Sequence, residues 1–208
     1  MVIGILIALQ INNWNESRKD RLTEHKVLVD LTKNLEMNIE RLENKLNIME
    51  RHNQSGETIL AAIRNETREH DKLREHWHRS LLNDANFDLT HAGYEALKNV
   101  GFSIIENDQL KEEVMNLYED TYSRLYSSQT WGTEFRPDLD KQIIEYFSWE
   151  AKTLERIPHD YQSLLSNHYF IALVEIALLQ RQRISRSINE SLQETRIVLQ
   201  HITGELAE

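Results

Sequence analysis

Apolar residues recur along this chain at steps of three and four, a spacing that predicts helices rather than strands. Leu28, Leu31, Leu35, Ile39, Leu42, Leu46 and Met49 keep one narrow apolar seam, while Glu, Lys, Asn and Arg fill the other positions. No Gly or Pro interrupts the series, so one helix is expected over 16–51. Its stop is expected at His52–Gly56, because Gly tolerates the left-handed cap conformation. A second helix is expected over 57–82, with Ile59, Leu60, Ile63, Leu73 and Trp77 inward and the polar stretch Arg64–Glu75 exposed. Residues Asn83–Asn86 read as a turn, and Thr90 or Asp88 as the cap of a short helix through Tyr94, Leu97 and Val100 that Gly101 ends. Asn107 or Asp108 can cap the next helix, which carries Leu110, Val114, Leu117, Tyr118, Tyr122 and Leu125 and breaks at Trp131-Gly132.

Pro137 suits the first turn of a further helix, where its missing N–H costs nothing. That helix is expected to carry Leu139, Ile143, Ile144, Tyr146, Phe147 and Trp149 and to stop near Pro158. The last helix is predicted from Tyr161 to Leu206. Its run 170–179, apolar on nearly every face, reads as the buried hub of a helical domain, being too short to cross a bilayer. Beyond it Ile184, Ile188, Leu192, Leu199, Ile202 and Leu206 form a second seam, with Thr195 in the missing position. The fold class is therefore all-α. The two matching seams suggest that the first and last helices pair antiparallel as a stem, bringing Glu208 back toward the start, with the segments between as a distal bundle.

The first residues differ from the rest. Val2, Ile3, Ile5, Leu6, Ile7, Leu9 and Ile11 form an almost unbroken apolar run, followed by Asn12, Asn13 and Trp14. Eleven helical residues span only about 16 Å, roughly half of a hydrocarbon core. The run lacks the leading basic residues and small-residue cleavage site of a signal peptide. Residues 1–13 thus read as the C-terminal half of a transmembrane helix, with Trp14 at headgroup level, and 14–208 as one helical extramembrane domain.

Composition narrows the picture. Only 6 glycines and 2 prolines occur, too few for a fold of many short strands. The absence of cysteine removes disulfides, thiol nucleophiles and Cys-type zinc sites. With 24 basic against 34 acidic residues, the formal charge of −10 repels phosphate backbones and argues against nucleic-acid binding. The basic cluster Arg181, Arg183 and Arg186 is expected on a solvated helix face.

The stretch Val2-Ile-Gly-Ile-Leu-Ile-Ala-Leu-Gln-Ile-Asn-Asn-Trp-Asn-Glu16 resembles the N-terminal signature of a large bacterial family of uncharacterised single-pass membrane proteins that share a domain of unknown function. Ala92-Gly-Tyr-Glu-Ala-Leu-Lys-Asn-Val-Gly101, with Ile104-Ile-Glu-Asn-Asp-Gln-Leu110 and Leu117-Tyr118, is similar to that family's internal pattern. The resemblance covers parts of the first 125 residues and is weaker beyond. Members carry a basic segment and the earlier half of the transmembrane helix before these residues, so Met1 reads as a start inside a longer anchor. The resemblance implies a single-pass protein of the bacterial inner membrane, with the helical domain periplasmic by the positive-inside rule. It transfers topology and no catalytic residue.

Candidate chemistry is sparse. In Glu69-His70-Asp-Lys-Leu-Arg-Glu75-His76-Trp-His78, Glu75 and His78 stand at the i, i+3 spacing of carboxylate-bridged metal bundles. No second Glu-x-x-His exists to face them, and His70, His76 and His78 do not share one helix face, which favours a solvated polar surface. Glu175, inside the apolar hub, is either a buried carboxylate needing a partner or the hub's wet edge. Trp131, Phe135, Tyr146, Phe147, Trp149 and Tyr169 either line a pocket or belong to the core. No nucleophile elbow, His-Glu-x-x-His, phosphate loop or dinucleotide fingerprint occurs, so no catalytic residue or cofactor is assigned. The expected function is a membrane-anchored interaction or scaffold module, meeting a protein partner or a second copy of itself. The alternative is a sensor-like bundle whose small-molecule ligand the sequence leaves open; a metal protein built on Glu75 and His78 ranks third.

Overall fold

With no proline before Pro137, the first part of the chain is free to remain helical over long distances. In the computed structural model, which describes residues 2–82, 86–150 and 155–207, α1 runs unbroken over Val2–Arg64. The expected break at Gly56 does not occur. Gly56 lies mid-helix, and a Cβ there would stand 2.8 Å from the Arg181 Nη2. The glycine thus permits close approach instead of ending the helix. The actual stop is ten residues later: Glu66 takes a left-handed φ of 47°, Thr67 N–H donates to the Ala62 carbonyl (2.9 Å) and Glu66 N–H to that of Ile63 (3.1 Å). This is a Schellman closure with Glu where Gly is usual.

The remaining elements are α2 (Asp71–Leu81), α3 (Ala92–Val100), α4 (Asp108–Asn116), a wide π turn (Leu117–Thr121), α5 (Tyr122–Ser128), α6 (Arg136–Tyr146), β1 (Phe147–Trp149), β2 (Arg156–Pro158), α7 (Tyr161–Leu165) and α8 (His168–Glu205). The all-α class holds, with one small exception. The helix expected through Trp149 ends at Tyr146, and β1 pairs antiparallel with β2 in the register Phe147↔Pro158, Ser148↔Ile157, Trp149↔Arg156. The helix expected over 57–82 is likewise divided between the end of α1 and α2, and the last helix divides at Ser166–Asn167 into α7 and α8. The turn expected at 83–86 lies largely outside the described residues, as does Glu208.

Local caps follow side-chain chemistry. Asn107 accepts from Leu110 N–H (3.1 Å) at the start of α4, and Gly101 ends α3 at φ 104°. Asn167 accepts from Phe170 N–H (3.0 Å) at the start of α8. His70 caps α2 through Nδ1, which accepts from Leu73 N–H (3.2 Å). The N-cap of α3 is His91, neither Thr90 nor Asp88.

The chain forms two compact units. The first comprises Met1–Arg41, Asp88–Tyr122 and Ser191–Glu208. Here α1 buries Leu28, Leu31, Asn34, Leu35 and Asn38, while α8 buries Ser191, Leu192, Thr195, Val198 and Ile202. Ile39 and Leu199, two expected seam positions, are only half-buried. The buried series 31, 35, 38 and 191, 195, 198, 202 keep the alternating three–four steps of a heptad, which places polar Asn38, Ser191 and Thr195 in the seams.

The second unit comprises Leu42–Phe87 and Ser123–Glu190. Its core gathers Ile59, Leu60 and Ile63 of α1, Leu73, Trp77 and Leu81 of α2, Leu139 and Ile143 of α6, and Phe170, Leu173, Val174 and Leu178 of α8. Trp77 is its centre, with the Phe147 ring 5.2 Å away edge-on and Tyr161 and Phe170 each at 6.2 Å. The hub expected at 170–179 is buried on this face alone, since Leu179 is exposed. In the same unit α1 also buries Leu42 and Met49 but leaves Leu46 half-buried, and α8 buries Ile184 and Ile188.

Candidate functional site

Among the described residues, three places bear on function: the exposed apolar N-terminal turns of α1, a polar seam in the first unit and an arginine cluster in the second. At the N-terminus Ile3, Ile5, Leu6, Ile7, Leu9, Ile11 and Trp14 are each between 52 % and 74 % exposed. Successive residues rotate by about 100°, so these side chains point around most of the helix circumference, with Gly4 and Ala8 on the remaining side. The side chain of Val2 lies outside the described set. Among the described residues no helix is long and apolar enough to cross a membrane. The transmembrane expectation is corrected to that extent: the apolar run ends at Ile11, and from Asn12 the helix turns polar, with the Arg18 guanidinium 5.9 Å from the Trp14 ring.

In the first unit the residues before α3 are held to α1 by two asparagines. Asn38 Oδ1 accepts from Thr90 N–H (2.7 Å) while its Nδ2 donates to the Thr90 carbonyl (3.1 Å) and to the Tyr122 hydroxyl (3.3 Å). Asn34 Oδ1 accepts from Thr90 Oγ1 and from Gly93 N–H, both at 3.0 Å. Tyr122 Oη lies 3.0 Å from Thr195 Oγ1, which donates to the Ser191 carbonyl at 2.6 Å. Gly93 is required by proximity, since a Cβ would meet Asp30 O and Leu31 Cα at 3.2 Å. The π turn buries Leu117, Tyr118 and Thr121; Tyr118 stacks on Tyr94 at 4.4 Å, and the Tyr94 hydroxyl donates to Glu119 at 2.6 Å. Burial first, then Glu119, pushes the Tyr94 phenol up, so it remains a neutral donor. The asparagine network is internally satisfied, which marks it as a device of structure rather than a ligand site.

The second unit contrasts with this. Arg181, expected on a solvated face, is only 2 % exposed. Its Nη1 donates to the Leu82 carbonyl at 3.2 Å, but Nε and Nη2 meet no acceptor among the described residues. Arg136 donates to the Leu81 carbonyl (3.1 Å) and pairs with Asp140 (2.7 Å). The two guanidinium groups thus cover the carbonyl end of α2, where its dipole favours positive charge. Burial first, and then the Arg136 charge, pulls Arg181 down to about 10. Arg156 is buried too, with Nε and Nη1 meeting no acceptor among the described residues and its guanidinium 4.8 Å from the Trp149 ring. Burial first, then Arg136, lowers it, with Asp140 opposing. Leu82, Gly132, Phe135, Arg136, Leu139, Leu173, Ile176, Ala177, Gln180 and Arg181 line a small, partly open cavity at this cluster.

The expected chemical candidates are dispersed. Glu75 is exposed, and His78 is half-buried with its ring 6.2 Å from Trp149. Burial, with Arg156 and Arg79, lowers the His78 imidazole despite Glu155. Among the described residues no group of three or more His, Asp or Glu is placed to hold a metal ion. Glu175 is half-buried and pairs with Arg64 at 2.7 Å, so it is the hub's wet edge and not a buried carboxylate. Of the aromatic group, Phe147 belongs to the core, while Trp131, Phe135, Trp149 and Tyr169 are exposed and Phe135 alone lines the cavity. Comparison with known proteins returns no matching family model, no matching curated protein and no matching solved structure.

Proposed function

We propose that the chain is a membrane-attached helical interaction module. The carrying observation is the N-terminal part of α1, whose apolar side chains are exposed around the circumference instead of along one stripe. A helix that docks on a protein surface needs one apolar face; one that is apolar all round calls for an apolar medium. The run of about 16 Å matches roughly one leaflet of a hydrocarbon core, and Trp14 with Arg18 follows it where ring and cation favour the interface. By its resemblance to the single-pass family, the membrane is the bacterial inner membrane and the helical domain is periplasmic. In this reading the helical domain that follows is offered to a protein partner or a second copy. Exposed Trp131, Phe135 and Trp149 supply aromatic anchors of the kind that dominate protein interfaces.

Crosslinking in native membranes followed by mass spectrometry tests this function. A reproducible heterologous partner supports it. Recovery of the chain in the soluble fraction with no crosslinked partner and no self-crosslink refutes it.

A further inference from the structure

We infer that the cavity among α2, α6 and α8 in the second unit is a binding site for a single monatomic anion of the chloride class, held by Arg181. This inference is independent of membrane attachment. Arg181 carries five N–H donors on a group that stays protonated near neutrality, and burying such a charge without acceptors is strongly unfavourable. Yet Arg181 is 2 % exposed, and neither its Nε nor its Nη2 finds an acceptor among the described residues. The nearest compensation is weak. The Leu82 carbonyl takes Nη1 at 3.2 Å, while Asp140 is committed to Arg136 at 2.7 Å with its side chain 48 % exposed. Arg136, which also borders the cavity, adds positive charge.

The size and lining of the cavity select the occupant. Its volume is about 10 Å³, on the order of what one water molecule needs. A phosphate or an organic carboxylate is too large without rearrangement. The other lining groups are mainly apolar, from Leu82, Phe135, Leu139, Leu173, Ile176 and Ala177, and Gln180 already donates its amide to the Gln129 carbonyl at 3.3 Å. Few donors beyond the guanidinium groups face an occupant, which suits a weakly hydrated halide better than a polyoxyanion that needs many hydrogen bonds. Gly56 of α1 leaves room for the guanidinium head, since a Cβ there would stand 2.8 Å from Nη2.

The test is thermal unfolding of the wild-type chain as chloride replaces gluconate at constant ionic strength, with bromide and sulfate series beside it. Chloride and bromide are expected to stabilise saturably, by about 3 °C once chloride stands at roughly ten times its Kd. Gluconate gives no such rise, and sulfate only a gradual, unsaturated one through general exclusion from the surface. Chlorine-35 NMR of the wild-type protein, which requires no variant, is expected to show line broadening that bromide competes away. Arg181→Met, if folded, loses both effects. Equal responses to all the salts, no chloride broadening, or a chloride response retained in folded Arg181→Met would overturn the site. Asp84, two residues past Leu82 in sequence, is the chain's own candidate to supply the missing charge. A wild-type chain indifferent to chloride beside an Asp84→Asn chain that responds would assign the site to that carboxylate and overturn the inference. An unchanged chloride response in Asp84→Asn supports it.

Discussion

Asn38→Ala tests whether the polar seam of the first unit holds the residues before α3 in place. The side chain satisfies both backbone groups of Thr90, at 2.7 Å and 3.1 Å, and gives a further bond to the Tyr122 hydroxyl at 3.3 Å. Stranding a buried donor or acceptor costs about 1–3 kcal/mol, so two stranded groups set a gross loss of about 2–6 kcal/mol. Thr90 is itself half-buried, so water recovers part of this. Alanine also returns about 0.5 kcal/mol of helix propensity relative to asparagine. The expected net loss is about 2 kcal/mol, or roughly 4–8 °C in Tm for a chain of this size. Urea unfolding at equilibrium measures it, with Tyr122→Phe and the double variant completing a cycle. Because Asn38, Tyr122 and Thr195 share one network, the double variant should fall short of additivity by about 0.5 kcal/mol or more. Loss of less than 0.5 kcal/mol in Asn38→Ala, or strict additivity, would refute a cooperative role for the seam.

Three further outcomes are expected. Glu66→Gly relieves the positive φ at the Schellman closure and should stabilise the chain by about 0.5–1 kcal/mol, read as a rise in thermal midpoint; a fall would contradict the closure described. Gly93→Ala forces a methyl group against the α1 backbone and should destabilise by about 1–2 kcal/mol after the helix-propensity gain, measured by the same unfolding curves; stabilisation would show that no close approach exists. Burial raises the Glu113 carboxyl, but bonds from His201 (2.5 Å) and Gln109 (2.8 Å) outweigh it and hold the group below its ordinary 4.5. Its contribution is therefore complete above that value and is lost as pH falls through the lower, folded-state value. Glu113→Gln should flatten that part of the stability-versus-pH curve, and an unaltered acid limb would show the pairing to be absent in solution.

Much of the helical plan was readable because it depends on local chemistry. Leu31, Leu35, Ile188 and Ile202 declare themselves by spacing, Gly101 and Asn107 by cap preference, and Pro137 by its place in a first turn. What escaped reading depends on distant partners. Gly56 looks like a stop until Arg181 is brought against it, and Glu66 carries no composition signal for a left-handed residue. The β1–β2 pair hides in a run whose apolar residues also fit a helix, and burial that falls steadily from Phe147 through Ser148 to exposed Trp149 shows no period of two to betray a strand. The arginine cluster was missed because charge predicts exposure. One sign was present: Arg181 lies three residues before the buried Ile184 and three after the buried Leu178, on the same helix face. Likewise, a strict heptad count from Leu31 reaches Asn38 rather than Ile39, and the preference for an apolar residue pointed to the wrong neighbour.

Membrane attachment through the first turns of α1 is best tested by flotation of the purified chain with vesicles of phosphatidylethanolamine and phosphatidylglycerol. Wild-type protein is expected to float with the lipid at both low and high salt, because burial of Ile3 to Ile11 and not surface charge holds it there. The double variant Ile5→Glu, Leu9→Glu, whose sites are exposed and outside both cores, should remain folded by circular dichroism and stay at the bottom of the gradient. Wild-type protein that also remains at the bottom, or a variant that floats equally well, would contradict a membrane role for this segment.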